Sequence, residues 1–255
     1  MSAAVAQPRR IPLAVPAAIA LAWAVALAAE ASGSASALHH DSLLDGSVPH
    51  WAALVLFLGS WQLMTAAMML PSSLPLIRLF WAASHRREAL AAFLGGYALV
   101  WSVFGLLAFA GDGLVHTLVS ALPALEQRPW LIAGGVLVTA GAFQFTKLKD
   151  ACLEECRHPA VFLMRGYRRG TGSAFRLGRD HGVFCLGCCW ALMLVMFAAG
   201  FANLVWMAVL AAVTAYEKAG RHGRALTPVL GVALVAWGAL VLAHPSWLPS
   251  ALGGL

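Results

Sequence analysis

The chain has 255 residues, of which 61% are hydrophobic and only 11% charged. Soluble globular domains carry about a quarter of their residues as charged side chains, so the composition excludes that class and indicates a multi-span membrane chain. The net charge of +6 reflects where the basic residues lie around the apolar runs, and is not a nucleic-acid signal.

Hydropathy gives apolar segments at roughly 11–31, 51–77, 88–110, 129–146, 183–201, 203–217 and 226–244. Most reach the ~20 residues that cross a ~30 Å hydrocarbon core; 203–217 is short. The expected fold is all-α: one integral membrane domain over residues 1–255, a polytopic bundle of about seven transmembrane helices. Placing the N-terminus in the cytoplasm puts Arg9, Arg10, Arg78, Arg86 and Arg87 inside, together with the loop 147–181 and the Lys218–Arg224 turn. Of the basic residues only Arg128 is then outside, so the positive-inside rule orients the chain N-in, C-out.

Segment one follows Arg9–Arg10 and ends near Ala35-Ser36-Ala37. That pattern also describes a cleaved signal peptide, but the run is longer than a signal's apolar region and reads as a retained anchor. The first outer loop, 33–50, carries His39, His40, Asp41, Asp45 and His50. A histidine pair beside a carboxylate would suit a divalent ion or copper; the plainer reading is a solvated polar loop.

Segment two contains SWQLMTAAMMLPSSLP. Met64 and Met68 are i and i+4 and share a face, with Met69 off to one side. Methionines fill gaps between helices, yet a cluster followed by Pro71 and Pro75 marks a span whose broken backbone ladder must be satisfied by other groups, as happens beside a cavity. Ser72 and Ser73 are candidates to supply those hydrogen bonds. Segment three holds Gly95–Gly96, Tyr97 and Trp101 and reads as a packing helix whose glycines allow close approach. In the short outer loop that follows, His116 reads as an interfacial residue.

Segment four runs into FQFTKLKDACLEECRHP. Cys152 and Cys156 are i, i+4 and face the same way if the helix continues, with Pro159 as a stop. Lys149 and Arg157 lie close enough in sequence to favour thiolate; two buried free thiols are the alternative. The basic, glycine-rich stretch RGYRRGTGSAFRLGRD reads as a cytoplasmic connector resting on anionic lipid headgroups.

The stretch from Gly182 to Lys218 opens on Cys185, Cys188 and Cys189. On a helix, Cys185, Cys189, Met193 and Met196 fall within about 80° of one another; Cys188 widens the arc to about 140°, and His181 lies inside it. Thiols at one end of a helical face and thioethers further along suit a soft metal ion. Asn203 reads as a turn former, and Glu217–Lys218 as an interfacial ion pair closing a short span. From Leu226 to Ala243 the last segment has no ionisable residue and reads as structural. Trp51, Trp130 and Trp247 fall near the outer interface and Trp81 near the inner one, as an aromatic belt.

All five cysteines fall on or near the cytoplasmic side, which fits a reducing compartment and argues against disulfides. If segments four and five pack together, the thiols converge near one leaflet with Met64, Met68, Met193 and Met196 deeper. Four thiolates would also hold Zn(II), but thioethers are poor zinc ligands and point to Cu(I). Two other readings stay open. Cys185-x-x-Cys188 has the spacing of thiol oxidoreductases, although no outer cysteine is present to complete a transmembrane relay; and the chain could be a structural or assembly subunit with incidental thiols. No arrangement for hydrolytic or phosphotransfer catalysis is evident, so no enzyme activity is expected.

Three blocks carry a resemblance: W-x2-M-x2-AMM-x-P (Trp61 to Pro71), FQ-x2-K-LK-x2-CL-x2-CR-x-P (Phe143 to Pro159) and G-x2-C-x-GCCWALM…NL-x-WM…EK (Gly182 to Lys218). The chain resembles the bacterial family of predicted metal-binding integral membrane proteins described as membrane copper chaperones. It departs from that family's pattern at Ala202, where a methionine often stands, and at Lys147, where a proline does. The resemblance implies copper handling in the inner membrane on behalf of a copper-dependent enzyme or oxidase.

Overall fold

The computed structural model describes residues 11–32, 49–122, 125, 127–198 and 204–244. Among them the secondary structure is helical, with no strand. The helices are α1 (Ala14–Ala31), α2 (His50–Ser84), α3 (Arg87–Ala121), α4 (Pro129–Phe143), α5 (Lys147–Arg157), α6 (Pro159–Gly166), α7 (Thr171–Ala198), α8 (Leu204–Ala219) and α9 (Gly223–Ala243). The histidine-bearing loop 33–48, Ala202, Asn203 and Trp247 lie outside the described residues, as do the side chains of His50 and His116.

Five of these helices are long and apolar enough to cross a membrane: α1, α2, α3, α7 and α9. A sixth candidate is α4 with α5, bent by 64° where they join. With 16 described residues, α8 reaches only about 24 Å at 1.5 Å per residue, less than a hydrocarbon core.

The stretch 147–181, expected as a cytoplasmic connector, is largely helical. It folds as α5, α6 and the first turns of α7, which starts at Thr171 rather than near residue 183. Hydropathy follows apolar content, whereas helix length follows packing. The polar first turns of α7 stay helical because glycines there lie flat on α3: a Cβ on Gly178 would sit 1.9 Å from the Phe93 carbonyl oxygen, and one on Gly96 2.1 Å from that of Phe175. The same device joins α4 to α9, where a Cβ on Gly238 would come within 2.9 Å of the Gly134 oxygen. Small residues that let backbones approach are how helices associate where no water drives them together.

Between α4 and α5 the chain turns at Gln144–Thr146. Thr146 caps α5 by accepting from the Lys149 amide at 3.2 Å, satisfying a first-turn donor. In α2, Pro71 has no N–H to offer the Ala67 carbonyl; the indole of Trp23 in α1 donates to it instead, at 3.1 Å. Ser72 donates to the Met69 carbonyl at 2.8 Å. The carbonyl that Pro71 leaves open is therefore satisfied by a neighbouring helix.

The core runs through Phe57, Trp61, Met68, Met69, Trp101, Leu137, Cys185 and Leu192. Outward faces are apolar too: Leu99, Val103 and Leu107 on α3, Val205 and Val209 on α8, and Val229 and Val232 on α9 are exposed. A surface of that kind suits lipid rather than water.

Candidate metal centre

The second half of α7 carries Cys185, Cys188 and Cys189, all at most 1% exposed. Four other helices bring polar or sulfur groups to them. From α5, Cys156 places its Sγ 4.0 Å from Cys188 Sγ. Cys152, one turn earlier on α5, lies over Gly187, where a Cβ would be 2.5 Å from its sulfur. From α2, Met69 meets Cys189, with 3.6 Å between thioether and thiol sulfurs. From α3, the Tyr97 hydroxyl is 3.1 Å from Cys185 Sγ. From α8, the Lys218 ammonium donates to Cys185 Sγ at 3.0 Å and to Ser72 Oγ at 3.3 Å.

The thiols are partly engaged with their own helix. Cys188 and Cys189 both donate to the Cys185 carbonyl, at 3.1 and 2.8 Å. A thiol that donates is protonated, so a metal would displace these protons. Among the described residues no three His, Cys, Asp or Glu side chains stand close enough to hold a metal ion as they are. The sulfurs are gathered in pairs, Cys156 with Cys188 and Cys189 with Met69, rather than around one point.

Lys218 is buried and has no carboxylate partner among the described residues. The other buried lysine does. Lys149 donates to Glu217 Oε2 at 2.7 Å, both side chains at most 1% exposed, and Thr227 donates to the other carboxylate oxygen at 3.0 Å. Arg157 donates to the carbonyl of Glu217 and, at 3.0 Å, to that of Gly220.

Lys149 and Arg157 hydrogen-bond to the Glu217 carboxylate and to backbone carbonyls at the end of α8 and so tie α5 to α8, while Lys218 is the cation that hydrogen-bonds to a thiol. The expected ion pair of Glu217 with Lys218 is corrected: the two do not pair with each other. Adjacent helical residues point about 100° apart, so Glu217 turns to α5 and α9 while Lys218 turns to α7.

The other sequence candidates divide. Met64, Met68, Met193 and Met196 are buried in the same apolar cluster as the cysteines, but the thioether that meets a thiol belongs to Met69. His181 is buried with Nε2 3.0 Å from Ser73 Oγ, and its ring stacks on Tyr97 at 5.6 Å; it is held against α2 and α3 on that side of the cluster. Met69, Tyr97, Ser72 and Lys218 were not singled out as site residues by the sequence. The signal available for Lys218 was a cation ending an apolar run too short to carry it clear of the core. For Met69 it was adjacency to Met68 just before Pro71.

A cluster of this kind offers soft donors beside one buried cation. The family model PpoB2, copper chaperone, matches residues 58–241. No curated protein and no solved structure matches the chain.

Proposed function

Because the chain belongs to the PpoB2 copper chaperone family, we propose that its cargo is Cu(I), held within a bacterial inner membrane by sulfur and passed on by ligand exchange. The first ligands are Cys156, Cys188 and Cys189 with the thioether of Met69. Cys152 and Cys185 lie beside them, and Met64, Met68, Met193 and Met196 are relay positions deeper in the bundle. Transfer trades one sulfur for another, with the copper-dependent client supplying the incoming ligand and no substrate bond broken. What supports this most directly is the meeting of sulfurs from three helices, at 3.6 and 4.0 Å, in a buried cluster beside an unpaired ammonium.

The charges agree with a monovalent ion. Lys149 and Glu217 cancel, which leaves Lys218 as a buried positive charge. With two of the three thiols ionised and the third bound as a neutral thiol, Cu(I) and Lys218 together give a neutral loaded site. Zn(II) would need the third thiolate as well to reach neutrality in that low dielectric.

The test is metal content. Full-length protein purified from copper-supplemented cells is expected to retain copper. Cys156→Ser and Cys188→Ser should weaken retention by at least the ~10–100-fold that losing even an outer partner of a metal site costs. Unchanged copper in both variants removes these thiols from the site. The approach of Cys156 to Cys188 also fits a thiol–disulfide exchanger, so the same variants are examined for a trapped mixed disulfide. Finding one without bound copper would favour that reading.

A further inference from the structure

Apart from the sulfur cluster, the fold builds a second polar pocket, where α2 ends and α3 and α7 begin. It is a cavity of about 330 Å³ lined by Arg86, Arg168, Arg169 and Gly170, with Phe80 and Tyr167 among its walls and no acidic residue. The walls are fixed. Tyr167 donates to the Ala83 carbonyl at 3.1 Å and its ring meets that of buried Phe80 edge-on at 6.1 Å. Gly170, at φ 104, makes the left-handed turn that delivers the arginines to the start of α7; a side chain there would be strained.

The arginines are incompletely satisfied. Arg86 pairs with Glu88 at 3.0 Å. Arg168 donates one nitrogen to the Tyr167 carbonyl at 3.1 Å, and Arg169 has no carboxylate partner among the described residues. The first turn of α7 contains no acidic side chain, so its N-terminal amides add to the positive field. Guanidinium groups converging with free donors match a phosphate, which accepts in their planar fork geometry.

The neighbouring helix indicates which phosphate. In α6, Phe162 is buried while Val161 and Met164 are 48% and 80% exposed, and Arg165, bonded to Glu155 at 2.6 Å, ends the helix. An apolar stripe beside a basic pocket is how a helix lies at a membrane interface, with acyl chains on one side and headgroups on the other.

We propose that this pocket binds the headgroup phosphate of an anionic phospholipid, held by Arg168 and Arg169, while Val161 and Met164 rest on its acyl chains. The site is independent of copper and of the sulfur cluster.

The test is lipid retention by the full chain in detergent, read by native mass spectrometry with equal amounts of phosphatidylglycerol and phosphatidylcholine. The wild type is expected to retain phosphatidylglycerol at least fivefold over phosphatidylcholine, on the order expected for one polybasic site. Arg168→Gln/Arg169→Gln should abolish the preference, and Arg169→Gln alone should reduce it. Both side chains are exposed, and unchanged helicity and elution would show that the fold persists. Arg176→Gln/Arg221→Gln removes the same charge elsewhere and should leave the preference intact. Equal loss in both double variants, or no preference in the wild type, overturns the pocket. Displacement of phosphatidylglycerol by millimolar inorganic phosphate alone overturns the assignment to a lipid.

Discussion

Lys218 ends a short apolar helix, where a lysine would ordinarily reach its ammonium out to the headgroups. Here the side chain turns inward and meets a thiol and a serine hydroxyl. A buried ammonium persists only with compensating charge or hydrogen bonds, and its sulfur partner, Cys185, lies beside the thiols that metal binding would make anionic. Lys218→Met keeps the stem and removes the charge. It is expected to lower copper affinity about tenfold, or ~1.4 kcal/mol, in a competition titration against a Cu(I) chelator. Equal affinity would leave the lysine with a packing role. Met69→Leu separates ligation from packing in the same way. A Met-to-Leu swap in a core costs less than about 1.5 kcal/mol of stability, so a fall in bound copper with an unchanged melting temperature would identify the thioether as a ligand.

At the scale of helices, α5 depends on two kinds of attachment. Its sulfurs reach α7, and its basic residues reach α8 and α9 through Glu217. Breaking a buried ion pair by removing one partner costs about 3–5 kcal/mol, because the other charge is stranded, whereas replacing both with apolar groups is often neutral. Lys149→Met is therefore expected to lower the melting temperature in detergent markedly, and Lys149→Met/Glu217→Leu to recover most of it. A double variant as unstable as the single would mean that the pair is held in place by something other than charge compensation. The α3–α7 contact is as unforgiving. Gly178→Ala places a Cβ against the Phe93 carbonyl, a backbone group that cannot turn aside, so the two helices must separate and move the cysteines away from Tyr97.

Across the whole molecule the apolar outward faces and long helices fit a membrane-embedded bundle, for which we propose the N-in direction that the distribution of basic residues favours. In spheroplasts, a cysteine at position 128 should react with an impermeant maleimide from outside. A cysteine at 221 should react only after permeabilisation. Both positions are exposed, so labelling reports the side of the membrane and not burial. The reverse pattern would turn the bundle over and place the thiol cluster toward the oxidising compartment, where a copper chaperone would need a different client.

Apolar run length and cysteine spacing were enough for a helical, sulfur-rich chain with membrane-length segments, and the resemblance carried by three motif blocks led to the copper chaperone family that the family model shows. Those are properties of single segments: one helix fixes which of its residues share a face, as it did for Cys185 and Cys189. The tertiary structure decided which faces meet. It chose Met69 over Met64 and Met68 as the thioether against a thiol, set Lys218 rather than Lys149 beside sulfur, and carried α7 back to Thr171. The reason is that rotation of one helix against the next is set by backbone approach at glycines and by buried charge pairing, and both depend on residues far apart in the chain.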